Sequence, residues 1–312
     1  MTRILTVTAN TAIDLVIEVE SLANRDNIQA KQSCEFPCGK GINVAKGIVS
    51  QGYPVTCLGF VGQQSLAMFS NINSELLNTD FIPVAGKTRT NLTLNDATAN
   101  QETHIRTHGY PISRDDCRRL QNKLAGQLNS GDIVILSGSL PAGAADSFYP
   151  VLIELCRRKN ALTFLDCNGN HLLAGLKASP YLVKPNQQEL QEIAQQPLPD
   201  EQAIAVAARK LNVQGCEWVY VSRGAKGLIV AGKNTLFTAN INSLPDKIIS
   251  QIGCGDAMLA GLAIGTLKGF DLQKTIQLGI ACGTANLFSK EPGKFDNKLA
   301  ANLLKQIKIL EI

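Results

Sequence analysis

The 312-residue chain carries 45% hydrophobic and 18% charged residues, an ordinary balance for a globular protein long enough to bury a core. Its net charge of +4, with Lys and Arg scattered, argues against a nucleic-acid surface, and its longest apolar-rich run, "AMLAGLAIGTL", is too short and glycine-rich to span a bilayer. Nine cysteines are dispersed singly, and "MTRILTVTAN" has no apolar stretch of signal-peptide length, so free thiols in a cytoplasmic protein are expected. Cys34 and Cys38 lie four apart, but no second Cys or Cys/His pair follows to complete a zinc site.

Along the chain, short β-rich runs alternate with helical patterns. "RILTVTA" reads as a strand. Residues 12–35 look extended and half-buried. "INVAKGIVSQG" reads as a helix with Ile42, Ala45, Ile48 and Val49 on one face and Gly52 as its stop. "VTCLGFVG" is a buried strand. Residues 88–107, "TRTNLTLNDATANQETHIRT", alternate around a polar turn as a hairpin does. There follow a surface helix at "RDDCRRLQNKLAGQLNSG", a strand at "DIVILSGS", a helix at "SFYPVLIELCRRKN" and strands at "LTFLDC" and "YLVKPN". A helix at "DEQAIAVAARKLNVQG", a strand at "EWVYVSRG" and two long apolar helices, "DAMLAGLAIGTLKG" and "LQKTIQLGIACGTANLF", end the pattern. Nearly continuous apolar strands between helices predict an α/β fold whose mainly parallel sheet is covered on both faces. The polar-faced strands at about 12–35 and 88–107 predict a small separate sheet that covers a site or pairs with another subunit.

In an open α/β sheet, ligands sit beyond the carboxyl ends of the strands. The segments "LSGSLPAG", "DCNGN", "KPNQQE", "SRGAKG" and "IGCGDA" all fall there. In the last, Gly253, Cys254, Gly255 and Asp256 directly precede an apolar helix. Two glycines let backbone N–H groups converge, and the positive end of the helix dipole adds to them, which suits a transferring phosphoryl group. Asp256 beside that anion hole can accept a proton from an attacking hydroxyl. Taken alone, the tetrapeptide fits a capped helix start better than a base. A thiol at a helix N-terminus can also be acidified, which would make Cys254 reactive, although a small residue filling the turn is the simpler reading.

"CGKGIN" is not a dinucleotide fingerprint, because Val44 stands where the third glycine would be, and "AGKT" lacks the first glycine of a Walker A loop. Gly39 and Gly41 could instead admit a sugar close to the backbone, with Asn43 offering its amide to hydroxyls and Lys40 facing an anionic group. A plain loop-to-helix turn fits equally well. In "KPNQQE", Asn186 and Glu189 suit magnesium held mostly by phosphates and waters, or a surface turn. Ser222, Gly224 and Gly227 suit a nucleotide, and Arg89 in the hairpin could give a second anion contact.

The order of these motifs, "CGKGINVA", "TRTN", "SGSLP", "KPNQQE", "SRGAKG" and "IGCGDA", resembles the ribokinase-like sugar kinases of the phosphofructokinase B family, over nearly the whole chain. "TANTAIDLVIEV" and "GKGINVA" are most similar to its sugar-phosphate branch, which includes 1-phosphofructokinase and tagatose-6-phosphate kinase. The resemblance implies one three-layer α/β/α domain over 1–312 with a β-sheet lid that commonly forms a dimer contact. It implies that Asp256 is the base, the backbone of Gly253, Cys254 and Gly255 the anion hole, and Asp14, Gly39, Lys40, Asn43, Arg89 and Ser139 the sugar-phosphate site. It places Lys184, Asn186, Ser222, Gly224, Gly227 and Thr284 at the nucleotide and Asn186 with Glu189 at magnesium.

The chain departs from the family pattern at Cys38, where a second glycine is usual, at Cys254, usually Ala or Ser, and at Gln251, often Thr. Residues near 27–29 lack a basic lid residue, for which Arg25 or Lys31 could substitute. These observations lead to the expectation of a magnesium- and ATP-dependent kinase of a phosphorylated ketohexose, fructose 1-phosphate foremost. Tagatose 6-phosphate and fructose 6-phosphate are the alternatives, and a catalytically inactive sugar-phosphate-binding regulator is the non-enzymatic one.

Overall fold

A computed structural model describes residues 2–23, 27–99, 101–241, 244 and 248–312. The strands in chain order are β1 (Ile4–Thr8), β2 (Ala12–Val19), β3 (Gln32–Cys38), β4 (Val55–Gly62), β5 (Leu77–Thr79), β6 (Ile82–Val84), β7 (Arg89–Asp96), β8 (Gln101–Arg106), β9 (Ile133–Ser137), β10 (Leu162–Asp166), β11 (Leu182–Val183), β12 (Trp218–Ser222), β13 (Leu228–Ala231), β14 (Leu236–Ile241) and β15 (Ile307–Glu311). The helices are α1 (Lys40–Ser50), α2 (Leu66–Ser70), α3 (Arg114–Gln127), α4 (Phe148–Arg158), α5 (Gly169–Leu176), α6 (Gln187–Ala194), α7 (Glu201–Val213), α8 (Cys254–Leu267), α9 (Leu272–Asn286) and α10 (Asn297–Leu303).

The main sheet runs β15-β14-β13-β12-β11-β10-β9-β1-β4-β5, with β6 also on β4. From β12 to β4 every pairing is parallel; β12 through β15 pair antiparallel. The alternation of each strand divides its side chains between two cores. Leu5, Val7, Val134, Leu136 and Leu165 pack under α3 to α7, whereas Ile4, Ile133, Ile135 and Phe164 pack under α1, α8, α9 and α10. Apolar residues at every position of a central strand are thus explained by burial on both faces. The architecture is α/β/α, as the alternating pattern predicts.

A second sheet, β3-β2-β7-β8, is built from the two polar-faced segments. β2 pairs antiparallel with β3 and parallel with β7, and β7 and β8 form the expected hairpin. Several short elements carry too little periodicity to be read from sequence: α5 and α6 inside "DCNGN" and "KPNQQE", and the strand pairs beyond β12. The strand expected over "YLVKPN" shrinks to Leu182–Val183, since the chain turns into α6 soon after Lys184.

α8 is buried on nearly all faces, with Ala257, Leu259, Ala260, Gly261, Leu262, Ala263, Ile264 and Gly265 all in the core. Such a helix has no polar stripe, and its neighbours must come close. A Cβ on Gly261 would lie 2.6 Å from the Leu278 carbonyl oxygen, and one on Gly47 of α1 would lie 2.9 Å from the Ala260 Cβ. We therefore expect Gly261→Ala to destabilise the protein. The alanine gains up to about 1 kcal/mol in helix propensity, but overpacking against a backbone that cannot yield costs about 1–3 kcal/mol. A thermal melt reads the outcome, and an unchanged or raised Tm would show that α8 and α9 have room between them.

Candidate active site

The carboxyl ends of β1, β9, β10, β11 and β12 meet the N-termini of α1 and α8. α8 starts from Gly253, which adopts left-handed φ 83°, with no side chain capping the helix. A Cβ there would strike Pro292 and Gly293 at 2.8–2.9 Å, so this turn needs glycine. The uncapped first N–H groups of α8, from Cys254 onward, are left for an anion. Asp256 sits in that first turn and is buried, 7% exposed. Burial pushes its carboxyl up to about 6, against the pull of Lys40 and Lys184 and of the Asn43 amide.

Lys40 opens α1 and turns inward. Its Nζ lies 3.2 Å from Asp166 Oδ1 at the end of β10, and Lys184 Nζ lies 3.6 Å from Asp166 Oδ2. Asp166 is fully buried. Burial alone would raise its carboxyl, but Lys184 and Lys40 outweigh burial and hold it below the usual range. Asp166, in turn, holds Lys40 firmly protonated. A Cβ on Gly255 would lie 3.2 Å from Lys184 Nζ, so this lysine faces the start of α8. Lys40, Asn43, Lys184 and Asp256, scattered over more than two hundred residues, thus converge with Asp166, which motif reading missed. The signal for it was an aspartate closing a buried strand in "DCNGN", at the edge where ligands gather.

Asn43 Nδ2 donates to Asp256 Oδ2 at 2.9 Å, so the amide expected to meet sugar hydroxyls is engaged with the carboxylate. The glycines flanking Lys40 have a packing task. A Cβ on Gly39 would sit 2.7 Å from Thr8 Cγ2, and one on Gly41 would sit 2.4 Å from Thr8 Oγ1. They let α1 approach β1.

A second group lies at the small sheet, around Asp14 of β2 and Arg89 of β7. Asp14 Oδ1 accepts from Asn91 Nδ2 at 2.8 Å. Arg89 donates to the Asn10 carbonyl at 3.1 Å, and Asn10 Nδ2 reaches the exposed Ser139 Oγ at 3.2 Å. Arg89 Nε is buried without a hydrogen-bond partner, and no carboxylate pairs with this guanidinium among the described residues. A half-buried guanidinium that has a free Nε–H and no carboxylate partner is suited to an incoming anion. Of the substitutes for a basic lid residue, Lys31 pairs with Glu20 at 3.6 Å on the surface, and Arg25 lies outside the described residues.

Beside the N-terminus of α8 is a cavity of about 450 Å³, lined among others by Ser222, Gly224, Gly227, Cys254, Gly255 and Thr284. That volume is within the range of small-ligand pockets. Cys254, Gly255 and Met258 at the start of α8 form part of its wall. Gln251 also lines it. Asn186 caps α6: its Oδ1 accepts from Glu189 N–H, and Glu189 Oε2 accepts from Asn186 N–H, both at 2.8 Å. Each residue retains acceptor capacity beyond this box. These are hard oxygen ligands, few in number, which fits magnesium held mostly by phosphates and water; among the described residues no ready-made cage of three or more metal-binding side chains exists.

Of the two readings of Cys254, the surroundings favour the simpler one, a small residue filling the turn. Burial pushes its thiol up, and the Asn286 hydrogen bond offsets this only in part.

Comparison with known proteins gives this arrangement a family. The signature of the pfkB family carbohydrate kinases matches residues 1–297. The chain belongs to that family. A 1-phosphofructokinase of Bacillus subtilis is 31% identical over 99% of this chain and 100% of its own length. A 1-phosphofructokinase of Haemophilus influenzae is 32% identical over 100% and 99%. Among solved structures, phosphofructokinase-2 of Escherichia coli in complex with potassium superposes with a TM-score of 0.89 at 23% identity, covering 98% of this chain and 99% of that one, which shows the shared ribokinase-like fold. As a pfkB carbohydrate kinase, the chain is a phosphotransferase. Among its described residues, no helix is long and apolar enough to cross a membrane.

The raised Asp256 carboxyl has a consequence for stability. The folded protein disfavours the charged form, so this group's contribution is most favourable below the unfolded value near 3.8 and is lost as pH rises through about 6. Above that window the charge costs on the order of 3 kcal/mol. We expect Asp256→Asn to melt higher than the parent at pH 8, with the gap closing below about pH 4. Equal Tm values at pH 8 would contradict a strained buried carboxylate.

Proposed function

We propose that this kinase transfers the γ-phosphoryl group of ATP to a ketohexose phosphate, with fructose 1-phosphate the preferred acceptor and fructose 1,6-bisphosphate the product. The observation that carries the chemistry is a buried carboxylate in the first turn of an uncapped helix, with two lysines nearby and a nucleotide-sized cavity on the other side. The choice of sugar rests on the 1-phosphofructokinase relatives that span the chain end to end, and on cationic groups at both ends of the acceptor site.

In this reading the sugar phosphate lies between the lid and the ends of β1 and β9, where Arg89 meets its phosphate with Lys40 as a second cation and Asp14, Gly39 and Ser139 line the sugar. Asp256 accepts the proton of the attacking hydroxyl; with a carboxyl near 6 it is mostly ionised at neutral pH yet a better base than an exposed aspartate. The α8 N-terminus holds the transferring phosphoryl oxygens, and Lys184, facing Gly255, adds positive charge there. Ser222, Gly224, Gly227 and Thr284 seat the nucleoside. Magnesium, arriving with ATP, would be held by Asn186 and Glu189, and when bound it supplies neutralising charge to the phosphates.

We also propose a homodimer through the lid. Leu15 and Ile17 of β2 stand in register with Leu92 and Leu94 of β7, and Ile105 of β8 lies opposite Leu92, giving one apolar face that this chain leaves half-exposed. A second copy turning the same face inward would cover it. Sedimentation is expected to give a dimer and Leu92→Lys a monomer; a monomeric parent at micromolar concentration would refute this arrangement.

For the chemistry, release of ADP is measured with magnesium-ATP across fructose 1-phosphate, tagatose 6-phosphate, fructose 6-phosphate and fructose. Turnover should be fastest with fructose 1-phosphate and poorest with the unphosphorylated sugar. Asp256→Asn should bind the substrates and lose at least about a thousandfold in kcat. Near-normal turnover in that variant would remove Asp256 from the role of base.

A further inference from the structure

Asn43 lies in the second turn of α1, 5% exposed, with its amide held at both ends. Nδ2 donates to Asp256 Oδ2 at 2.9 Å, and Oδ1 accepts from the Cys38 thiol at 3.7 Å, within sulfur hydrogen-bonding range. Among the described residues no other side chain donates to the Asp256 carboxylate. We propose that Asn43 is a positioning residue for Asp256, and that the buried Cys38 thiol fixes which end of the amide meets the carboxylate. This rests on the reading of Asp256 as the base.

The argument is one of donors and acceptors. The two ends of an asparagine amide have nearly the same shape and differ in hydrogen-bonding character. A carboxylate has only lone pairs to offer, so it demands the N–H end. A flipped amide would set Oδ1 against Asp256 and turn its N–H groups toward a thiol that accepts weakly. Cys38, at the last position of β3, presents an S–H donor to the other end and so favours the same orientation. Burial keeps that thiol protonated, and Asp14 reinforces this both by its charge and as a second acceptor within reach of the same S–H, which Asn43 Oδ1 shares. The backbone is held as well: a Cβ on Gly293 would lie 2.1 Å from the Asn43 carbonyl oxygen, which seats the 292–293 turn directly on this residue. Asp256 Oδ2 is thereby tied, and Oδ1 is left to face a substrate hydroxyl. The departure at Cys38, next to the sugar site, acquires a physical task.

Other charges face Asp256 from each element packed around it. Lys40 from α1 and Lys184 from the end of β11 favour its ionised form, and Asp166 from β10 opposes it. Lys46 of α1 acts on Cys38, and Cys254 is the titratable neighbour on α8 itself. None of the charged groups is within ion-pair distance of Asp256 among the described residues, so Asn43 is the group that can fix its orientation and ease its ionisation by direct contact.

The test is the pH dependence of kcat with magnesium-ATP and fructose 1-phosphate. In the parent the acid limb should lie near 6. In Asn43→Ala it should move up by about one pH unit or more, because a hydrogen bond to the charged form is lost. For a one-unit move, activity should then fall about fivefold more at pH 6 than at pH 9. Cys38→Ala should move the limb in the same direction by less, and Cys38→Ser, which keeps a donor, should restore it. If Asn43→Ala leaves the limb in place and raises only the KM for the sugar phosphate, the positioning role is wrong and Asn43 is a sugar contact. If Cys38→Ala is indistinguishable from the parent, the thiol has no part. Should Asn43→Ala not fold, Asn43→Ser, too short to reach the carboxylate, carries the same expectation, and if neither folds the Cys38 pair decides. An inactive Asp256→Asn together with an unmoved limb in Asn43→Ala would sink this proposal alone, whereas an active Asp256→Asn would sink the underlying reading.

Discussion

A carboxylate buried in the first turn of a buried helix sets the conditions for the rest of the molecule. Taking Asp256 out of water disfavours its charge, and the protein offsets this with two lysines and an amide rather than with a direct ion pair. The distinction is functional. A lysine in contact would lock the carboxylate in its charged state and weaken it as a base, whereas charges held off by Asp166 moderate the proton affinity without abolishing it. Asp166 therefore acts as the anchor of the site. It is the group that binds both lysines, and it keeps each of them pointed inward in the absence of any phosphate.

Holding Asp256 in place requires the N-terminus of α8 to be fixed from several directions, and the segment after α9 does this. Asn286 is fully buried; its Nδ2 donates to the Ile252 carbonyl at 2.8 Å, and its Oδ1 accepts from Gly293 N–H at 2.8 Å. The turn at Pro292 and Gly293 is wedged between Gly253 on one side and Asn43 on the other. Glu291 pairs with Lys46 of α1 at 2.9 Å. One short segment thus touches the helix that carries Asp256 and the helix that carries Lys40 and Asn43, and sets their separation. Buried polar groups with complete partners rigidify in this way at little net cost.

Much of this was legible in the sequence, but unevenly. Strands whose every residue is apolar, such as "DIVILS", announce burial on two faces, and the polar alternation of "TRTNLTL" announces a sheet with one wet face. "GCGDA" before an apolar run showed where a helix would present its N-terminus. What sequence could not show was pairing across long distances. Nothing in "GKGIN" says that the Asn43 amide will meet an aspartate 213 positions later, or that Lys40 will meet Asp166. Short elements such as α6 escaped because a capping box and a metal-binding pair look alike in "NQQE": both need an amide oxygen and a carboxylate three residues apart. For Cys254, position on the helix suggested an acidified thiol, while its apolar surroundings, visible only in three dimensions, decide the opposite.

The stretch "PCGKGINVA" shows how packing and chemistry share residues. The glycines on either side of Lys40 are required by Thr8 of β1, whose side chain would collide with any Cβ at either position. This contact places the start of α1 hard against the carboxyl edge of the sheet, beside Ser137 and within reach of Asp166. The lysine between the glycines consequently emerges at the one level where its charge can serve both an internal carboxylate and an external anion, and its side chain is still 40% exposed. A residue larger than glycine at position 41 would lift the helix away from β1 and move Lys40 and Asn43 together. The positions of Lys40 and of the Asn43 amide that meets Asp256 are therefore coupled through a packing contact with Thr8, and the glycines act by fixing a distance.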